Sequence, residues 1–546
     1  MATLASSRGT SRNRKRRLPF LSILSTAMVF AAAGIFLIQL IAFSQQDELM
    51  AAGIRVGGVD VSGETQNSAI IKWQQVYEQP LTLYYQDSPI LLQPSAIGFR
   101  LNNETMLAQA LNARETASNF WLRFFNYLTG QQLAEGGDIE LSAEYQQGLL
   151  ANYLEDLARR YDRPPGRPGY DVATLTVYEG ARGSTLDIPA ATRMIEAALF
   201  EPVNREVQLP TGDSAASRPN LNTLQQMIVD YLDSKGFIYD SQGSVASVFI
   251  MDLQTGEEIN LLGDVAFTAA STNKVPILID FYRFKDFPPD QDEAYIMANS
   301  LLCSRNSSSN LLLRLIGGGI EGSEFAGLTS VSQTAKDVGA RNTFIAAPFV
   351  DGTAGQQFGS IAIPDTEPNA SFNTGPDPYN QTTAEDIGTL FAQIYDCANY
   401  SSGLMTAFPD DFTQQECRQM LELMSANDLQ RLLQGGIPPG TRISHKNGWL
   451  GDMVGDAGIV YSPNGRNYVI AVYLWEETEA NFQNYEQLWP LVEDISRAAW
   501  NYFNPDNTLL TPRNDLPRTA QDCEGNYLPP AGRVNLDDIW SWRESP

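Results

Sequence analysis

The sequence predicts a mixed α/β protein of the α+β kind: an antiparallel sheet flanked by helices, preceded by a separate, duplicated α+β domain and one N-terminal transmembrane helix. Three observations predict this. Leu18 to Phe43 carries no charge and is mostly apolar, long enough to cross a bilayer as a helix. From about Gly53 to Leu209 short strand and helix patterns alternate. Beyond Asn220 a second region opens with Leu224, Ile228 and Leu232 at helical spacing. It closes with a hairpin, residues 457–461 and 468–473 around Pro463 and Gly465, and an amphipathic helix from Tyr485 to Phe503.

A chain of 546 residues exceeds one ordinary core, so two or three domains are expected. The net charge of −27, with no basic stripe beyond the N-terminus, excludes nucleic acid as a partner. Arg8, Arg12, Arg14, Lys15, Arg16 and Arg17 form a basic cluster ahead of the apolar run. That order favours a cytoplasmic segment 1–17, a single span 18–43 and an exported remainder facing the cell wall. A cleaved signal peptide is the alternative; the run is long for one, and no Ala-x-Ala site follows it, which favours an uncleaved anchor. Four cysteines, Cys303, Cys397, Cys417 and Cys523, fit export. Three full pairings are possible; Cys397 and Cys417 flank one loop-like stretch and are the expected pair. No Cys-x-x-Cys or histidine cluster suggests a metal, and no cofactor is expected.

Residues 50–212 begin with Ile54, Val56, Val59 and Val61 alternating around glycines, then a helix from Thr65 to Tyr77. Two echoes suggest duplication. Residues 98–101 lead into a helix ending at Ala110 and Leu111; residues 183–186 lead into one ending at Ala198 and Leu199. With residues 56–62 and 206–210, this stretch resembles the domain associated with peptidoglycan binding in some L,D-transpeptidases and in vancomycin-resistance W-type proteins. The resemblance implies a wall-facing binding role; a plain spacer is the alternative. Thr211 to Asn220 is small, polar and Pro-containing and reads as a boundary, with the linker at 213–220.

The chemistry of residues 221–504 centres on Ser271. Three positions on stands Lys274, nearly one helical turn away and so on the same face. An amine beside a hydroxyl can activate a serine, and a helix N-terminus there would favour the developing alkoxide. Ser304, Arg305 and Asn306 enter a further helix, and Lys446, Asn447 and Gly448 sit on a strand. These three motifs, in this order, resemble the Ser-x-x-Lys, Ser-Asp-Asn and Lys-Thr-Gly motifs of the class A β-lactamase and penicillin-binding-protein family, over roughly 220–504. Asn310 and the leucines after it continue the match.

The resemblance implies roles. Ser271 is the acylated nucleophile and Lys274 takes its proton. Ser304 passes a proton to the leaving nitrogen, while Asn306, Asn447 and Gly448 contact substrate. Lys446 keeps Lys274 neutral by like-charge repulsion. The N–H groups of Ser271 and Trp449 form the oxyanion hole. Glu367, in a Glu-Pro-x-x-Asn-like stretch whose last position is Ser371, is expected to be the deacylating base. His445, the only histidine, is expected to face away from the site because it neighbours Lys446 on a strand. Arg305 replaces the family's aspartate, Asn447 its hydroxyl residue, and Gly455 a carboxylate-binding arginine. The expected function is weak β-lactam hydrolysis through an acyl-enzyme. The alternatives are a D-alanyl-peptide hydrolase and a catalytically weak peptidoglycan-binding protein. Residues 505–546, rich in Pro and Asp, read as an irregular tail.

Overall fold

The computed structural model describes residues 20–46, 49–117, 119–131, 136–285, 287–350, 359–427, 429–478, 485–516 and 533–543. The basic cluster and Cys523 lie outside them. The chain divides into two compact units, 1–165 with 182–215, and 166–181 with 216–546.

In the first unit, α1 (Phe20–Gln46) is apolar throughout, and its stretch Ile23–Gln45 is long and apolar enough to cross a membrane. Helix Gln66–Tyr77 starts where Thr65 Oγ1 accepts the Ser68 N–H at 3.2 Å. Strand Leu81–Tyr85 pairs antiparallel with Ser88–Leu92 and parallel with Glu206–Gln208. Trp73, Tyr77, Leu83, Ile97, Leu154 and Ile195 close the core over it. Each of the two sequence echoes is a short strand stepping into a helix, with strands Arg100–Leu101 and Gly183–Leu186 pairing with different partners. Helix α2 (Phe120–Thr129) begins where Asn119 Oδ1 accepts the Leu122 N–H and ends at Gly130, whose φ of 66° needs no Cβ.

Two boundaries differ from the sequence reading. Thr211–Ser214, read as part of the boundary before Asn220, is a strand pairing with Gly183–Leu186. A hairpin, Gly169–Asp171 with Thr176–Tyr178, belongs to the second unit although it precedes the last strands of the first. Its reason is apolar: Leu175 is fully buried, Asn501 Nδ2 donates to its carbonyl at 2.9 Å, and Tyr170 donates to Asp230 at 2.6 Å.

The second unit is built on five antiparallel strands, β1 (Ser244–Asp252), β2 (Glu258–Leu261), β3 (Ile443–Leu450), β4 (Met453–Val460) and β5 (Tyr468–Glu476), in the order β2-β1-β5-β4-β3. Side chains alternate across a strand, and both faces here are covered. Val469, Ala471, Tyr473 and Trp475 join one core with helices Lys274–Phe284, Asn306–Ile316, Ala384–Tyr400 and Gln414–Ser425. Tyr468, Ile470, Val472 and Leu474 join the other, under helices Leu221–Ser234 and Tyr485–Phe503. The expected tail is also corrected: Leu536, Ile539 and Trp542, spaced by three, bury themselves in the first of these cores, and Ile539–Arg543 is helical.

Cys397 and Cys417 are joined, with Cα atoms 5.9 Å apart, and Cys303 is also disulfide-bonded. The bridge ties the end of Ala384–Tyr400 to Gln414–Ser425 across a separation of 20 residues. Replacing both cysteines by alanine should cost about 3 kcal/mol of unfolding free energy, measured by denaturant titration of the oxidised protein. An unchanged midpoint would mean that helix packing alone fixes this corner.

Candidate active site

Ser271 lies in a 3₁₀ turn, Ala270–Asn273, which leads into α3 (Lys274–Phe284). In a 3₁₀ turn residues i and i+3 eclipse, so Ser271 and Lys274 share a face, as the spacing requires. Ala270 holds φ at 48°, a left-handed value that alanine adopts at a cost; such residues persist where the surroundings hold them. The surroundings are visible. Asn380 Nδ2 donates to the Ala270 carbonyl at 3.1 Å, and Asn273 Nδ2 donates to Asn380 Oδ1 at 2.7 Å. Thr272 Oγ1 donates to the Ala269 carbonyl at 2.7 Å and accepts from Tyr473 at 2.8 Å.

Lys274 is completely buried. Its Nζ contacts the Ser304 carbonyl, Ser304 Oγ at 3.0 Å and Asn306 Oδ1 at 3.0 Å. Burial, and secondarily the nearby charge of Lys446, push its ammonium well below the ordinary lysine range. A neutral amine fits this shell: it donates to the two carbonyl oxygens and accepts the Ser304 hydroxyl proton. Ser304 itself sits at φ 53°, just before α4 (Asn306–Ile316).

Strand β3 brings the third motif alongside. A Cβ on Gly448 would lie 2.6 Å from the Ser271 nitrogen, so only glycine lets the strand approach the Ser271 turn this closely. Trp449 follows, half-buried against Trp489 at 5.9 Å between ring centres. Lys446 is buried and donates to the Asn447 carbonyl at 3.0 Å; burial pushes its pKa down to about 8, against the opposing pull of Asp456. Asn447 is buried, with its Nδ2 bonded to none of the described residues.

The structure thus brings together Ser271, Lys274, Ser304, Asn306, Lys446, Gly448 and Trp449, while Ser271 Oγ keeps no hydrogen bond to a described residue. It does not bring Glu367 to them. The Glu367 side chain is exposed, its N–H donates to Asn342 Oδ1 at 2.9 Å, and neighbouring Asn369 is pinned to Asp264. The group over Lys274 is Phe349, whose ring centre lies 5.0 Å from Nζ. Asn310 clamps both sides of the Phe349 backbone, accepting its N–H at 2.9 Å and donating to its carbonyl at 2.8 Å. The signal for this contact was in the sequence as Asn310, but its partner was not. Gly455 also acquires a reason: a side chain there would strike the Tyr473 ring at 2.2 Å, and the Tyr473 hydroxyl reaches Thr272 beside Ser271. His445 points its Nδ1 at Asp456, 3.0 Å away, in a fully buried pair.

A family model described as the Beta-lactamase enzyme family matches residues 232–285 and 294–503 of the chain, inside the second unit. Among solved structures, one titled as PBP-A is 22% identical, with a TM-score of 0.38, over 53% of this chain and 98% of that one. A β-lactamase from Sphaerobacter thermophilus is 18% identical, with a TM-score of 0.36, over 53% and 99%. The TLA-3 extended-spectrum β-lactamase is 17% identical, with a TM-score of 0.37, over 52% and 99%. A search of curated protein sequences finds no match. The second unit has a β-lactamase-like fold.

The Lys446 value has a directional consequence. Its folded pKa of about 8 lies below the ordinary 10.5, so the unfolded chain binds more protons between these values. Stability from this group therefore rises with pH across that window, because the cost of burying the charge disappears. Recognition of an anionic substrate should move the other way. Acylation by a penicillin, followed by stopped-flow fluorescence, should slow as pH rises through about 8, while thermal unfolding shows no matching loss of fold.

Proposed function

We propose that the second unit is a membrane-tethered serine acyl-transfer enzyme that reacts with β-lactams and with D-alanyl peptides of the cell wall, and that water removes its acyl group slowly. The observation that carries this reading is the buried Lys274 amine, bonded to Ser304 and Asn306 and one turn from Ser271. In the reaction the Ser271 hydroxyl proton passes to Lys274, directly or through a water, as Oγ bonds to the substrate carbonyl carbon. The Ser271 and Trp449 N–H groups stabilise the oxyanion. The carbon–nitrogen bond breaks, Ser304 protonates the departing nitrogen, and Lys274 returns its proton to Ser304. An ester on Ser271 remains.

Hydrolysis of that ester needs a base beside an incoming water. Phe349 has no proton acceptor, and the Glu367 carboxylate is held at the exposed surface. Weak β-lactam turnover is therefore assigned to the lack, among the described residues, of a base beside Lys274 rather than to a poorly held water at Glu367. Tethering rests on α1, and a wall-facing role of the first unit remains part of the same proposal.

Intact-mass spectrometry after penicillin exposure tests the nucleophile. The parent should gain one covalent adduct, and Ser271→Ala none, with its unfolding midpoint unchanged within error. An adduct on the alanine variant would remove Ser271 from its role.

The lifetime of the adduct tests the base. Phe349→Glu should shorten it by about a hundredfold, the usual worth of a positioned general base. Glu367→Gln should leave it unaltered. A longer lifetime in Glu367→Gln would restore Glu367 as the deacylating group.

A further inference from the structure

Helix α2, of sequence FWLRFFNYLT, belongs to the first unit and has a single charged residue, Arg123. One side of it packs on α1. Phe43 lies 5.3 Å from Phe120, 5.3 Å from Phe124 and 5.4 Å from Tyr127, and Phe36 lies 5.3 Å from Phe124. The other side carries Trp121, Phe125 and Leu128, spaced i, i+4, i+7, with exposures of 63%, 60% and 48%. Two aromatic rings and a leucine in one stripe are an unusual surface to leave in water.

The position of the contact decides what covers that stripe. Phe36 is nine residues inside the end of the Ile23–Gln45 span, about 14 Å along the axis of a helix rising 1.5 Å per residue. A bilayer's hydrocarbon core is about 30 Å thick. A side chain touching Phe36 therefore cannot stand in bulk water if α1 crosses the bilayer; it lies at the depth of the acyl chains. Asn119 accepts the Leu122 N–H at one end of α2 and the Gly130 N–H meets the Tyr127 carbonyl at the other, so part of the polar backbone at each end is met while the face between them stays apolar.

We propose that α2 is a second membrane element, seated in the leaflet at the C-terminal end of α1, with Trp121, Phe125 and Leu128 in contact with lipid. This rests on α1 being a membrane span. Aromatic side chains favour the boundary of the bilayer, and a helix lying in that boundary fixes how a single span meets the domain that follows. The first unit then holds the membrane by two packed elements rather than by one tether.

The experiment uses the full chain reconstituted in phosphatidylcholine vesicles. Single cysteines replace Phe30 on α1, Trp121 and Phe125 on α2, and exposed Glu78 elsewhere in the first unit, and each carries a nitroxide; the described native cysteines are all disulfide-bonded. Collision with oxygen reports lipid, and collision with a water-soluble nickel chelate reports water. The expected oxygen-to-nickel ratio is lipid-like at Phe30, and at Trp121 and Phe125 it exceeds that at Glu78 by fivefold or more. A lipid-like Phe30 with water-like Trp121 and Phe125 overturns the role of α2 and leaves the span intact. A water-like Phe30 overturns the span, and the proposal with it.

Discussion

The burial of one amine organises the second unit. Lys274 has no exposed surface, a position in which a charged ammonium is costly, and burial pushes its pKa well below the ordinary lysine range. Four parts of the chain meet to do this. The 3₁₀ turn supplies Ser271, the approach to α4 supplies Ser304 and Asn306, β3 supplies Lys446, and Phe349 places its ring over Nζ. The sheet's two covered faces make the burial possible, because they leave the edge strand β3 free to lie against the turn.

Two contacts away from the three motifs shape the surroundings of Ser271 and Lys274. Glycine at 455 goes with Tyr473, whose ring fills the space a longer side chain would need and whose hydroxyl steadies Thr272. Phe349 goes with Asn310, which grips its backbone from both sides. The first contact supports the turn that carries Ser271, and the second fixes the ring that lies over Lys274. The Phe349 ring adds to the burial that lowers the Lys274 pKa, and it carries no proton acceptor of its own.

Much of the fold was legible. The apolar run, the closing hairpin and the amphipathic final helix carry strong periodicity, and α1, β4 with β5, and Tyr485–Phe503 stand where that periodicity put them. The Cys397–Cys417 pair was also legible, because its partners lie near each other along the chain. Less legible were pieces whose partners are distant. The hairpin 169–178 has no local mark of the unit it joins, and the helix at Ile539 packs into a core whose residues outside this segment lie far earlier in the chain, from Val245 to Trp475.

By itself, the sequence determined which residues form the candidate acylating set. Ser271 with Lys274, Ser304 with Asn306, and Lys446 with Gly448 are each close in sequence, and local backbone geometry converts their spacings into shared faces. Tertiary structure alone decided what stands over Lys274. Glu367 and Phe349 both occur in loops without periodicity, and nothing local distinguishes a loop that reaches the site from one pinned to Asn342. That choice rests on long-range hydrogen bonds from Asn310 and Asn306 to residues 349 and 350, contacts between segments about forty positions apart that no local pattern encodes.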